Sequence, residues 1–306
     1  MRKQLVNIII VVLQLFYCAC NNWGWQDLES DHEPALNIFA LIVLDSTATS
    51  FVHVRQSLNL DESEYVRLSH DTLWYGESPY DYIFKNTYLS SFMVDSAVVT
   101  ISDGAHEVRF FPVRSTEEYM WYYPYAEYQI KESVVYLDTL HQFNPQPATE
   151  YFLKVIAPDG RRVSGSLITP AIPEIQASSV PDTLHLLRSF GVSWKALSDN
   201  YQLLRTITDY WVGNFRVVIE PGKISWIAVP NDPSFFDSED FACEMEICLT
   251  ALDENYYQYF IEKPLDDEFV SFLLGSANSG VSCGVEGGFG VFGAIATDRI
   301  YRIAVK

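Results

Sequence analysis

The side chains that could perform chemistry in this chain do not fall into a recognised catalytic pattern. It contains no HExxH zinc motif, no GxSxG nucleophile elbow and no pair of histidines at metal-ligand spacing. The two carboxylates of a glycoside hydrolase meet only in space, so a hydrolase with an unrecognised carboxylate pair remains a distant alternative. We therefore predict no catalytic residues, no metal ligands and no cofactor.

Residues 288–293 formally match the GxGxxG pattern of dinucleotide-binding proteins. That mechanism needs a helix directly after the glycines and an acidic residue about 20 positions further on. Only 13 residues follow Gly293, and their pattern is typical of a strand. We expect these glycines to allow close backbone packing or strand kinks instead.

Three cysteines, Cys243, Cys248 and Cys283, follow the N-terminal segment. Strict alternation over residues 241–250 places Cys243 and Cys248 on opposite faces of a strand, so these two cannot easily join each other. In an oxidising compartment we predict a disulfide from Cys283 to either Cys248 or Cys243.

Residues 119–125 are too aromatic for a routine loop, and they include Trp121, Tyr122, Tyr123 and Tyr125. Exposed rings of this kind present flat apolar faces with polar tips, which suit a sugar or a protein partner. The same rings could instead cap the edge of a sandwich or fill a domain junction. We retain these four residues as candidate binding residues.

The N-terminus is typical of an exported protein. Arg2 and Lys3 precede an apolar stretch over residues 5–17, which is shorter than the roughly 20 residues of a membrane span. Cys20 follows the small residue Ala19 at the end of this stretch, as in the lipobox of bacterial lipoproteins. We predict a signal peptide over residues 1–19, lipid attachment at Cys20 and a polar tether to residue 33. An ordinary cleaved signal and an uncleaved N-terminal anchor are the alternatives.

Charge and composition narrow the classes of partner. The 306 residues carry a net charge of −20, which becomes −22 once Arg2 and Lys3 are removed with the signal peptide. A polyanion of this size repels nucleic acid, so we exclude nucleic acid as a partner. Apolar residues make up 48% of the chain, which excludes intrinsic disorder as the overall state.

The elements that must position any site are mainly β-strands. Asp103–Gly104 and Pro158–Gly160 each separate two alternating apolar runs, which predicts two hairpins. We expect an immunoglobulin-like β-sandwich over residues 34–175. Prolines at 170 and 173 then interrupt the pattern and mark a domain boundary.

A second β-rich domain, sandwich-like or barrel-like, is expected over residues 176–306. Its one predicted helix starts after Asp253, a good N-cap residue, and runs from Glu254 to about Ile261.

Residues 283–294, Cys-Gly-Val-Glu-Gly-Gly-Phe-Gly-Val-Phe-Gly-Ala, resemble a signature near the end of an uncharacterised lipoprotein family of Bacteroidetes-type bacteria, a domain of unknown function. The lipobox, the hairpin at 95–104 and the turn at 157–161 agree with that family in order. The family usually has Asn where this chain has Cys283. The resemblance implies an outer-membrane lipoprotein with an immunoglobulin-like N-terminal domain, often encoded near TonB-dependent receptors, and it implies no known reaction.

Together these features predict a non-enzymatic lipoprotein of the cell envelope, anchored to the outer membrane on its periplasmic or its outer face. Its expected role is that of an accessory or partner-binding component of a TonB-dependent receptor-type system. The alternative is a surface module that binds a glycan or another nutrient through exposed aromatic residues.

Overall fold

The computed structural model consists mainly of β-strands joined by turns, with one short helix, as the sequence predicts. The described residues are 35–45, 47–57, 65–74, 82–121, 127–186, 188–195, 197, 199–208, 215–228, 242–262 and 282–305. The strands build large sheets with sandwich-like packing, which confirms the expected fold class.

The first half of the chain supplies strands β1 to β9, and local turn chemistry explains two of their hairpins. β5 and β6 are antiparallel around Gly104, and β8 and β9 are antiparallel around Gly160, as predicted. Both glycines have a positive φ, +87° and +91°, which costs glycine little because it lacks a Cβ. The strands are β1 (Leu36–Leu44), β2 (Phe51–Gln56), β3 (Tyr65–Trp74), β4 (Tyr82–Ser90), β5 (Val98–Ser102), β6 (Glu107–Trp121), β7 (Glu127–Leu137), β8 (Glu150–Ile156) and β9 (Arg162–Ile168).

The first core lies between two sheet faces that β6 connects. The first four residues of β6 pair with β5, and the remainder of the strand pairs with β7. Strands β1, β2 and β7 therefore line one side of the core, and β5, β8 and β9 line the other. Ile38, Val52, Phe110 and Leu153 are among the side chains buried between them.

The second half of the chain supplies nine further strands in the described residues, together with short helical turns. They are β10 (Thr183–His185), β11 (Phe190–Ser193), β12 (Gln202–Thr208), β13 (Arg216–Ile219), β14 (Ser225–Ala228), β15 (Ala242–Leu252), β16 (Ser282–Cys283), β17 (Val285–Glu286) and β18 (Phe289–Val305). A 3₁₀ turn covers Ala177–Ser179, helix α1 covers Glu254–Tyr257, and a π-helical turn continues it over Gln258–Glu262.

The second core follows the alternation expected from the sequence. Met245, Ile247 and Leu249 of β15 are fully buried in it. Trp194 is buried in the same core, and its indole Nε1–H donates to the carbonyl of Lys223 at 2.9 Å. That hydrogen bond satisfies the one polar group of the ring, so the ring can be buried at little cost.

Helix α1 confirms the predicted N-cap. The carboxylate of Asp253 accepts hydrogen bonds from the backbone N–H groups of Asn255 and Tyr256 at 3.3 and 3.0 Å. The α-helical segment ends at Tyr257, earlier than expected, and the π-helical turn extends the helical stretch to Glu262.

Strand β18 contributes to both cores. Phe292, Ala294 and Ala296 belong to the first core, and Ala304 belongs to the second. Its first part pairs in parallel with β1, while residues 295–305 pair antiparallel with β15. This one strand therefore reaches across both groups of buried residues. The domain boundary expected between residues 175 and 176 remains a prediction.

The main sheet runs in the order β13-β12-β15-β18-β1-β2-β7-β6-β5-β8-β9-β17, with β10, β16, β3 and β4 paired off this path. β11 and β14 form a separate two-stranded sheet. The turn at Pro221–Lys223 therefore links strands of two different sheets, because β13 pairs with β12 and β14 pairs with β11.

Candidate functional site

Of the four binding residues predicted from the sequence, the structure describes only Trp121. Trp121 is the last residue of β6, where its backbone is opposite Glu127 of β7. Cys20, Tyr122, Tyr123 and Tyr125 lie outside the described residues.

The strand register adds two aromatic positions beside Trp121 that the sequence did not reveal. β3 ends at Trp74, which is opposite Tyr82 at the start of β4. β4 in turn runs parallel to β7, with Phe84 beside Glu127. The backbones of Trp74, Tyr82 and Trp121 therefore lie at the same end of four neighbouring strands of the main sheet, β3, β4, β7 and β6. Neither β3 nor β4 was expected from the sequence, because their residues do not alternate cleanly.

The predicted disulfides do not fit the strand register. Cys248 is opposite Arg299 on β18, and Cys283 is beside Val291 on the same strand. Eight positions along a strand correspond to about 26 Å, whereas a disulfide joins Cα atoms less than about 7 Å apart. Cys243 is opposite Ala304, which is even farther along β18 from Val291, so a bond from Cys283 to Cys243 does not fit either.

A row of three arginines around Cys248 is the most distinctive cluster of charged residues that the fold creates. Cross-strand pairing places one residue from each of four neighbouring strands side by side on the same face of the sheet, opposite the second core. In order across β13, β12, β15 and β18 they are Arg216, Arg205, Cys248 and Arg299. Neighbouring strands are about 4.8 Å apart, so the whole row spans about 15 Å.

The arginine at one end of this row is neutralised within the fold. Arg299 forms an ion pair with Asp45, and its second guanidinium nitrogen lies 3.4 Å from Glu246. The side chain of Asp45 is 8% exposed and that of Arg299 is 23% exposed, so solvent screens this pair only partly. These contacts neutralise the charge of Arg299 within the fold, so this side chain has a structural role.

The other two arginines differ from Arg299. Arg205 and Arg216 are directly opposite each other and both are exposed. Within the described ranges no carboxylate lies within ion-pair distance of either one. Two like charges directly opposite across a strand pair are destabilising. The fold therefore holds two guanidinium groups together at a small cost in stability.

Cys248 lies between these arginines as a buried thiol. Its Sγ–H donates to Oε1 of Glu246 at 2.9 Å. Burial, followed by the hydrogen bond to Glu246 and the negative charge of that residue, raises the pKa of Cys248 to about 12, against a smaller lowering effect of Arg205. A thiol with this pKa is protonated at neutral pH, so Cys248 is not a nucleophile.

Tyr256 of α1 stands above the same sheet face. It packs over Gly293 of β18, where a side chain on the glycine would approach the Tyr256 Cβ to 3.1 Å. Burial raises the pKa of Tyr256, while the positive charges of Arg216 and Arg205 lower it. The phenol is therefore close enough to the two arginines to sense their charge.

Exposed apolar side chains share this face with the arginines. Their exposed fractions run from 37% to 48%. They are Val218 of β13, Ile207 of β12, and Tyr301 and Ile303 of β18. We call this surface the arginine face, defined by Arg205, Arg216 and these four residues; it also carries Glu246 and Glu244 of β15, which lie opposite Tyr301 and Ile303.

A cleft of about 730 Å³ lies near the start of α1, and its acidic lining makes it a second place to look for a site. Glu150, Asp199, Asp253 and Glu254 are among its lining residues. Both oxygens of Asp253 are occupied by backbone N–H groups, including that of Ala294 at 2.8 Å. Across the part of the chain that the structure describes, no group of three or more acidic, His or Cys side chains is arranged to hold a metal ion.

Among the described residues, no helix combines the length and the apolar character that a membrane crossing requires. No protein-family model matches this chain, and no curated protein is significantly similar to it.

Proposed function

We propose that this protein is a non-enzymatic lipoprotein of the cell envelope that binds a protein partner through the arginine face. The composition of that face carries the proposal. Arginine and tyrosine are enriched at the energetic centres of protein interfaces, and exposed isoleucine and valine supply apolar area that a partner can bury.

Charge complementarity supports a partner with an acidic contact surface. The chain carries a net charge of −20, and Glu244 and Glu246 of β15 lie on this same face, so its exposed positive charge is confined to the neighbouring residues Arg205 and Arg216 on β12 and β13. A local positive region on an acidic protein attracts a negative surface and orients the encounter.

The lipid anchor predicted at Cys20 and the resemblance to an outer-membrane lipoprotein family favour a partner in the outer membrane. We propose a receptor of the TonB-dependent type. The non-enzymatic part of the proposal rests on the sequence, which contains no recognised catalytic motif.

The test is a pull-down from detergent-solubilised envelopes with the native lipoprotein, a Cys20→Ala variant and an Ile303→Ser/Tyr301→Ser double variant. Leu140→Ser is a matched control, because Leu140 is 59% exposed but lies outside the arginine face. We expect an outer-membrane receptor to co-purify with the native and Leu140→Ser proteins and to be lost with the double variant. Recovery of correctly lipidated native protein alone would contradict the proposal.

A second candidate function is glycan binding, favoured by the register that gathers Trp74, Tyr82 and Trp121 at one sheet end. Aromatic rings suit the apolar faces of sugars. A glycan stacked on Trp121 should change intrinsic fluorescence, and Trp121→Ala should remove that change. A broad glycan panel without any such response would exclude this function.

A further inference from the structure

We infer that Arg205 and Arg216 form a carboxylate-binding site that receives an acidic peptide segment of the partner. This inference rests on the proposed function and names the chemistry of its recognition step.

The geometry of the two strands supports a two-pronged site. Arg205 and Arg216 are direct cross-strand partners, so their side chains leave the sheet on the same face. Cβ atoms of directly opposite residues lie about 5 Å apart. Two planar guanidinium groups at this separation can each donate two parallel hydrogen bonds to a carboxylate.

The contrast with Arg299 shows which arginines are available. Arg299 is bound to Asp45 and Glu246, whereas Arg205 and Arg216 are solvent-exposed, and Arg205 contacts within the row only the uncharged thiol of Cys248 by a hydrogen bond. Between Arg205 and Arg299 lies Cys248, whose thiol donates to Glu246 and adds no charge at neutral pH. The exposed positive charge of the row therefore lies on the pair at β12 and β13, with Glu246 of β15 as a diagonal neighbour of Arg205 on the same face.

The surroundings of the pair favour a peptide over a small free anion. Val218 lies two residues from Arg216 along β13, and Ile207 lies two residues from Arg205 along β12, so both share the face of the arginines. Both side chains are 37% exposed. A segment with acidic residues between apolar ones would pair with the arginines and bury these two side chains at once, which a free carboxylate cannot do.

The first experiment measures binding of a fluorescent peptide of about ten residues that alternates Glu with Val, by anisotropy with the full chain. The comparison probes are the same peptide with Gln in place of Glu, and free acetate as competitor. Each hydrogen-bonded charge pair is worth at least a factor of about ten in affinity. We therefore expect Arg205→Gln and Arg216→Gln each to weaken binding about tenfold or more. Arg109→Gln, an exposed arginine on β6, should leave it unchanged.

The second measurement separates a binding role from a structural one. Because the two arginines oppose each other as like charges, Arg205→Gln and Arg216→Gln should leave the thermal melting temperature unchanged or raise it. A drop in melting temperature together with weaker binding would mean that the arginines serve the fold, and it would overturn the inference.

The outcomes also separate this inference from the proposed function. Equal binding of the Glu and Gln peptides would overturn the carboxylate site. If the receptor still co-purified with Arg205→Gln and Arg216→Gln but not with the Tyr301/Ile303 variant, the inference would fail while the partner-binding function would stand. If the native protein recovered no receptor and also bound neither peptide, both the inference and the proposed function would fail. Competition by acetate alone at millimolar concentration, without preference for the peptide, would reduce the site to one for small anions and contradict the peptide assignment.

Discussion

Gly290 lies directly against the carbonyl oxygen of Ile38, with no space between them for a side chain. The two residues are register partners in the parallel pairing of β1 with β18, and Gly290 has a φ of +112°. The glycine thus lets the two backbones approach while the chain adopts a conformation that other residues avoid. Close backbone packing was the role predicted for these glycines from the sequence.

Gly290→Ala should be strongly destabilising. The new Cβ would meet the Ile38 oxygen, and the positive φ adds strain of its own. We expect a loss of about 3 kcal/mol or more in the free energy of unfolding, measured by urea denaturation. Gly191→Ala is the control, since no atom lies within 4 Å of a Cβ there, and it should change stability by less than about 0.5 kcal/mol. Equal stabilities of the two variants would show that β1 and β18 do not pack this closely.

Asn255→Ala should destabilise the junction between β9 and β18. The Asn255 amide donates to the carbonyl of Ser166 at 3.0 Å and to that of Phe292 at 2.9 Å. Alanine favours helices, so any loss comes from these two bonds, and we expect about 2 kcal/mol by urea denaturation. Gln258→Ala loses one exposed hydrogen bond to Glu254 and should cost about 0.5 kcal/mol or less. The prediction fails if both substitutions cost the same.

Asp253 predicts a specific pH dependence of stability. Burial raises the pKa of its carboxyl to about 6 from an ordinary value of 3.8, although three backbone hydrogen bonds act in the opposite direction. Between these two values the folded chain keeps a proton that the unfolded chain has lost. The contribution of Asp253 to stability is therefore present below pH 3.8 and is lost as the pH rises to about 6, by about 3 kcal/mol in total.

Asp253→Asn isolates this effect. The amide oxygen can keep the bonds from Tyr256 and Ala294, which both donate to Oδ1, and the side chain does not titrate. The unfolding free energy of the native protein minus that of the variant should fall between pH 4 and pH 6. A difference that stays constant over this range would contradict the raised pKa.

Cys248 should resist alkylation in the native protein. With a pKa of about 12, its thiolate fraction at pH 8 is lower than that of an ordinary thiol by a factor of about 10³. Iodoacetamide followed by peptide mass mapping should leave Cys248 unmodified natively and modify it fully in urea. Rapid native labelling would mean that the thiol is neither buried nor held by Glu246.

The features that the sequence predicts well are those that depend on neighbouring residues. The turns at Gly104 and Gly160 and the N-cap at Asp253 are each specified within a few positions, and the structure confirms all three. The pairing of distant strands has no local signal. The turn around Gly222 looks like a hairpin, yet its flanking strands belong to different sheets.

The arginine face could not be found from the sequence for the same reason. Arg205 and Arg216 are eleven positions apart and Arg299 is far from both, so only the order of β13, β12, β15 and β18 brings them into one row. Alternation in β15 did place Cys248 on the face away from the core. The sequence did not indicate that β12 and β18 are the strands on either side of β15.

The shared strand β18 has a consequence for the order of events during synthesis. Residues 289–296 complete the first core by pairing with β1, near the beginning of the described chain. Residues 289–296 are synthesised long after Leu36–Leu44, so β1 lacks this parallel partner until the chain has been extended past residue 296. Because β18 supplies buried residues to both cores, we expect a chain that ends before residue 289 to leave both cores incomplete.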